Sequence, residues 1–337
     1  MLMATGTIAI VAVVLELGAT LILGTNSQEP EAPIKAHDMS SLDKTFQFDV
    51  YTWWKLQPGL DNYHVVGRCW GKDVDFHFST DSEGVRLDPG APEAPETRIL
   101  ALGDSVTFGL GVSDAETWPA QLRARLAEMT GANRFRVINF GTPGYSAFQG
   151  LRQLDKRGLT MKPDLVVACF GQNDFDTWNT TTDLQRAMNE TSAVAAKESG
   201  QSDLFVLARM AIAGARELLS TSSDAPLQPR LTREEFRDTL EQIRLLCVEQ
   251  GIPLILLRWP QEPQVLEKNP TPINYEDIIL SFQGAEGVTL LDLYPAFAAE
   301  ERSLYIDPVH GSAAGCEVAA HTLAGTGLQL LGGTVSK

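Results

Sequence analysis

The chain has 337 residues, 44% apolar and 21% charged, enough for a full α/β core with a smaller appended element and unlike a disordered composition. Its formal net charge of −16 argues against a nucleic-acid partner and against electrostatic docking on anionic lipid heads. Four cysteines, at 69, 169, 247 and 316, are too widely spaced for a zinc framework.

Residues 7–24 form an 18-residue apolar stretch whose only charge is Glu16. At 1.5 Å per residue it reaches about 27 Å, close to the roughly 30 Å hydrocarbon core of a bilayer. Ten of its residues are Ile, Leu or Val. Together they offset one central acid costing about 2.5–3.5 kcal/mol. Residues 1–25 are expected to be a membrane anchor or a signal segment; the lack of a basic start and of a clear cleavage site favours the anchor, with the bulk of the chain outside the cytoplasm. Residues 26–45 have the composition of a linker. From 46 to 95 an aromatic-rich block, with Val74–Phe78 alternating as a strand and Asp81–Gly84 as its turn, predicts a small β-rich flap. Its aromatic residues are expected to serve packing more than ligand contact. A stiff linker, Asp88–Pro95, closes the block.

From residue 96 to about 330, apolar runs alternate with amphipathic helices. Strands are expected at 99–102, 135–140, 164–170, 253–259 and 288–293, and helices at 119–129, 147–157, 232–250 and from Ser312. Such alternation predicts a five-stranded parallel sheet covered by helices on both faces. An insertion, 175–230, interrupts it and carries a helix near 204–219. It is either a lid or a surface excursion. Cys169 and Cys247 lie on apolar patterns and belong in the core.

The strand ends carry the chemistry. Gly103-Asp104-Ser105 lifts a serine off the end of the first strand, where open α/β sheets place their sites. A serine nucleophile needs a base, an acid that orients it and donors for the oxyanion. His310 in Asp307-Pro-Val-His310 is the candidate base, with Asp307 close enough in sequence to reach it and fix its tautomer; alone, the motif reads equally as a turn before a helix with an incidental histidine. His321 is expected to be structural, and His64 and His77, in the flap, are poor bases. The expected donors are the backbone N–H of Ser105, the N–H of Gly144 and the side-chain amide of Asn173, with Gly141 available as the alternative glycine. There is no HExxH, P-loop, GxGxxG after a strand or GxSxG elbow.

Taken together, GDSVTFG, NFGTPGYS, GQND and DPVH, in this order, resemble the four blocks of the SGNH (GDSL) hydrolase family over about residues 98–325. Ser105, Gly144, Asn173 and His310, with Asp307, match residue by residue. The resemblance implies a flavodoxin-like three-layer α/β/α sandwich, a Ser-His-Asp mechanism and neither metal nor organic cofactor. The segment Ser82–Arg86 is similar to that of membrane-tethered bacterial members acting on cell-envelope substrates. The expected reaction is hydrolysis of a small acyl ester, O-acetyl on an envelope carbohydrate foremost. Three alternatives stand beside it: an O-acyltransferase using the same triad, a lipid esterase whose apolar tunnel the helix near 204–219 would supply, and a non-catalytic carbohydrate-binding or assembly protein on the same fold.

Overall fold

A computed structural model describes residues 38–220 and 226–332. The apolar segment 7–24 and residues 26–37 of the expected linker lie outside the described residues. Among the described residues no helix is long and apolar enough to cross a membrane.

Eleven strands are described in chain order. β1 (Phe46–Asp49) and β2 (Trp53–Leu56) form one antiparallel hairpin, β3 (Tyr63–Cys69) and β4 (Lys72–Phe78) a second. The central sheet comprises β5 (Thr97–Gly103), β6 (Phe135–Gly141), β7 (Leu165–Cys169), β10 (Leu254–Arg258) and β11 (Val288–Asp292). β8 (Thr177–Asn179) and β9 (Gln228–Pro229) pair at the base of the insertion. The central strands lie in the order β11-β10-β7-β5-β6, all parallel. Counting those five strands alone, this is the 2-1-3-4-5 order of flavodoxin-like folds.

The apolar runs are continuous because the sheet is buried on both faces. Along β5, Ile99 and Ala101 pack under the helices Trp118–Thr130 and Ala313–Leu330, while Leu100 and Leu102 pack under Ala147–Gln153 and Arg233–Glu249. Thr232 and Glu235 form the capping box that opens the helix Arg233–Glu249. The helix expected over 147–157 is regular only to Gln153 and then widens into a π-turn, Leu154–Gly158.

Two expectations for the N-terminal part are corrected. Residues 38–45 are not linker: Met39 and Leu42 are buried against the β3–β4 hairpin and against Phe108 and Leu110 of the main body. The turn of that hairpin is Trp70-Gly71, not Asp81–Gly84. Both Trp70 (φ 50°) and Gly71 (φ 77°) have the positive φ of a two-residue turn that matches strand twist. Asp81–Gly84 turns the next segment back, so that Arg86 bridges to Thr80. The Arg86 side chain is fully buried and donates to the carbonyls of Phe108 (2.7 Å), Gly109 (2.9 Å) and Val112 (2.7 Å), with Asp114 balancing its charge at 2.9 Å. The flap thereby grips the loop that follows the candidate nucleophile.

Candidate active site

The chain leaves β5 toward β6 on one side and returns to β7 on the other, so a crevice opens at the carboxyl ends of β5 and β7. Ser105 begins the helical turn Ser105–Phe108 directly after β5, with the Asp104 side chain accepting from the Val106 N–H at 2.8 Å. Gly171–Asp174 follows β7. From far along the chain, the loop Asp307–His310 meets them.

Asp307, Ser105 and His310 form an unbroken relay. His310 Nδ1 lies 2.7 Å from Asp307 Oδ2, and His310 Nε2 lies 2.8 Å from Ser105 Oγ. Asp307 Oδ1 accepts the N–H groups of Val309 (2.9 Å) and His310 (2.8 Å), which fixes the carboxylate and leaves Oδ2 for the ring. Burial penalises the Asp307 charge, but the hydrogen bond and charge of His310 and the two backbone donors outweigh it and hold this carboxyl below its usual range. A carboxylate that stays ionised fixes the proton on Nδ1 and leaves Nε2 free to accept from the serine.

Cys69, at the end of β3, lies 3.8 Å from His310 Nδ1 by its Sγ. Burial, with Asp307 beside it, pushes the thiol well up, so it faces the carboxylate as a neutral S–H. All four cysteines are buried and none forms a disulfide. Of the remaining histidines, His321 is exposed on the helix Ala313–Leu330, and His64 and His77 face away on the hairpin.

The expected oxyanion donors line the same cleft as Ser105 and His310: Gly144 and Asn173 both border it. One N–H of the Asn173 amide donates to the Tyr145 carbonyl at 3.0 Å, which fixes the amide and leaves its second N–H. The two glycines have separate roles. A Cβ on Gly141 would lie 2.0 Å from the Phe108 nitrogen, so Gly141 lets β6 approach the nucleophile turn. Gly144 borders the cleft at φ 79°, with Trp54 and Trp178 at ordinary contact distance from a hypothetical Cβ. Gly144→Ala is therefore expected to cost about 1–2 kcal/mol of backbone strain. It should lower the denaturation midpoint and reduce kcat several-fold while KM for a small ester moves little.

Sequence reasoning missed what stands behind these donors. Arg230, at the return of the insertion, is buried against Asp183 (2.7 Å) and donates to the Gly144 carbonyl and to Gln149. Asp183 also accepts from Ser146 Oγ at 2.6 Å. Asp174 accepts from the N–H groups of Ala147 (2.7 Å) and Gly171 (2.9 Å), tying the β7 turn to the β6 turn. Burial pushes Asp174 up to about 7 and Asp104 up to about 6. Asp104 Oδ2 has no hydrogen-bond partner among the described residues. Both folded values lie above that of an unfolded aspartate, about 3.9. Ionising the pair therefore costs stability that is absent below pH 4 and fully felt above pH 7. The melting temperature is expected to fall as pH rises through 5 to 7, with a smaller fall in Asp104→Asn, measured by calorimetry.

The cleft encloses about 870 Å³. Trp54, Trp178, Phe175 and Pro143 border it, as do Met39, Leu42, Phe46 and Trp70. The flap aromatics thus divide. Phe76 and Phe78 pack on Phe108, while Trp54, Trp70 and Phe46 face the cleft, more than packing alone predicts. The insertion contributes Phe175, Asp176 and Trp178 from its neck. Among the described side chains of its helix Asp203–Ser220 none lines the cleft, where a lipid esterase could have drawn on this helix for an apolar tunnel; Val206 packs instead with Val50, Ala193 and Ala196.

Serine, imidazole, carboxylate and convergent donors in one cleft suit acyl transfer from an ester to water or to an alcohol. The model of the GDSL-like lipase/acylhydrolase family matches residues 101–318. Among curated proteins, the esterase TesA of Pseudomonas aeruginosa is 34% identical over 82 residues, which is 24% of this chain and 40% of that relative's length. A crystal structure of TesA aligns with 70% of this chain and 99% of its own at 18% identity and a TM-score of 0.45. A lipase/acylhydrolase from Enterococcus faecalis aligns with 70% of this chain and 96% of its own at 22% identity and a TM-score of 0.44. A variant of Axe2, an acetyl-xylooligosaccharide esterase from Geobacillus stearothermophilus, aligns with 72% of this chain and 98% of its own at 18% identity and a TM-score of 0.44. Overlays this loose carry over neither a substrate nor a residue role.

Proposed function

The chain belongs to the GDSL-like lipase/acylhydrolase family of ester hydrolases, and from that premise we propose that it is a serine esterase with Ser105 as nucleophile, His310 as base and Asp307 as the group that orients it. The observation that carries this reading is the relay from Asp307 through His310 to Ser105, at 2.7 and 2.8 Å. In it, His310 Nε2 takes the serine proton as Oγ attacks the ester carbonyl. The N–H groups of Ser105 and Gly144 and the Asn173 amide receive the oxyanion, each contributing about 2.7–4 kcal/mol. The tetrahedral intermediate collapses as His310 returns the proton to the leaving alkoxide. A water, deprotonated by the same nitrogen, then releases the acid and restores Ser105.

The substrate we assign is a small acyl ester, O-acetyl foremost, on a cell-envelope carbohydrate. Supporting it, Trp54, Trp178 and Trp70 border the cleft, and aromatic faces of this kind accept the apolar faces of sugar rings. The cleft is also far larger than an acetyl group. The apolar wall of Met39, Leu42, Phe46 and Leu110 favours a second reading, an ester with a long acyl chain. An alcohol in place of water would make the same residues an acyltransferase. We further propose that residues 7–24 tether the enzyme to a membrane with its body outside the cytoplasm, on the strength of their length and apolarity.

A fluorophosphonate probe with mass-spectrometric mapping tests the nucleophile: labelling at Ser105, lost in His310→Ala, is expected. A folded protein that takes no label would return the non-catalytic binding protein as the better reading. A p-nitrophenyl ester series decides the acyl group, acetate being favoured on the first reading and long chains on the second.

A further inference from the structure

The β3–β4 hairpin has two unlike faces. Val65, Cys69, Val74, Phe76 and Phe78 are buried on the inner one. The outer face carries His64, Val66 and Arg68 on β3, opposite His77, Asp75 and Asp73 on β4. Arg68 and Asp73 neutralise each other at 2.9 Å, and Val66 is apolar. His64, His77 and Asp75 remain as a set.

Register builds that set. His64 stands directly across from His77, and the two imidazoles stack with centroids 4.3 Å apart and planes 6° from parallel. Asp75, two residues before His77 on the same face of β4, reaches diagonally to His64, with Oδ1 2.7 Å from Nε2. One donor atom from each residue lies within 4.8 Å of the other two.

We propose that this face of the hairpin is a binding site for a divalent ion of the zinc, nickel or copper class, held by His64, His77 and Asp75 with water in the remaining positions. The donor set selects the ion: two imidazole nitrogens with one carboxylate suit borderline metals, whereas calcium and magnesium demand an oxygen shell. Zinc bonds of about 2.0–2.2 Å place neighbouring ligand atoms roughly 3.3–3.6 Å apart in a tetrahedron. The stacked rings direct their nitrogens in parallel, so binding requires the imidazoles to turn about their side-chain bonds until the three donors converge, while the paired strands hold the backbones in register. A chain of net charge −16 also attracts cations. The ion takes no part in ester cleavage, since Cys69 and Trp70, at the other end of the hairpin, are what meet the site. It would staple β3 to β4 and stiffen the hairpin that carries those two residues.

The test uses the full chain, stripped with a chelator and titrated with zinc chloride by calorimetry, with a melting curve at each stage. One saturable site and a raised melting temperature are expected. Both should be lost, with at least about tenfold weaker binding, in His64→Gln and in His77→Gln, since even second-shell changes cost about 10–100-fold. Far-UV circular dichroism verifies that each variant folds, and fluorophosphonate labelling at Ser105 is read separately as a report on the catalytic cleft. The buried cluster of Cys69, Asp307 and His310 is the competing location for an ion. Zinc that binds both histidine variants as well as the parent, or that acts only by blocking Ser105 labelling, would overturn the proposal, as would no binding at all.

Discussion

Exchange of His310 for alanine is expected to lower kcat by about six orders of magnitude, with KM nearly unchanged, because nucleophile and base act as one unit. The companion change, Asp307→Asn, is expected to cost about four orders. Its reason is geometric. Asp307 Oδ1 is occupied by the N–H groups of Val309 and His310, so an asparagine keeping those bonds presents its NH2 to His310 Nδ1. That nitrogen must then accept, which moves the ring proton to Nε2, where it faces Ser105 as a donor instead of a base. Steady-state kinetics on p-nitrophenyl acetate, with circular dichroism to establish the fold, measures both. A loss in Asp307→Asn of less than tenfold would mean that Asp307 does not set the tautomer.

Arg230→Met is the second large effect. The guanidinium is buried, and it bonds to Asp183, Gln149 and the Gly144 carbonyl while lying 4.3 Å from the centroid of the Trp178 ring. Methionine fills similar space but leaves Asp183 as a buried charge whose remaining side-chain hydrogen bond among the described residues is that from the Ser146 hydroxyl, a change of about 3–5 kcal/mol. It also frees the loop that carries Gly144. A fall in the urea midpoint and a reduced kcat are expected together. Asp183→Asn in the same chain should restore much of the stability, since it removes the orphaned charge, but not the activity, since nothing then holds the Gly144 carbonyl. Recovery of both would reduce Arg230 to a structural ion pair.

These two predictions differ in how visible their residues are along the chain. Ser105, Asn173 and His310 were legible because each follows a buried parallel strand or precedes a capped helix, and such strands are continuous apolar runs. The same regularity made the five-stranded sheet and its helical layers readable to within one or two residues at most ends. Arg230 stands in a polar stretch with no periodicity, and its partner Asp183 is 47 residues away. Cys69 meets His310 across 241 residues, and no local pattern announces such a contact. The hairpin turns away from its expected position for a local reason: Asp-Ser-Glu-Gly is a stronger turn signal than Trp-Gly, yet tryptophan takes the positive φ at position 70. Tertiary packing on Phe108 and Leu110 overrides that local preference.

With Ser105 and His310 in the roles proposed for them, the relay also fixes when the enzyme can become active. Ser105 and His310 are 205 residues apart, so at about 5–20 residues per second a ribosome finishes the base roughly 10–40 s after the nucleophile. In that interval the newborn serine is an ordinary alcohol. A chain released before residue 307 stays one, whatever part of its sheet has folded. On that proposal a prematurely terminated chain is expected to be inert toward esters, and activity would report that translation had passed residue 310.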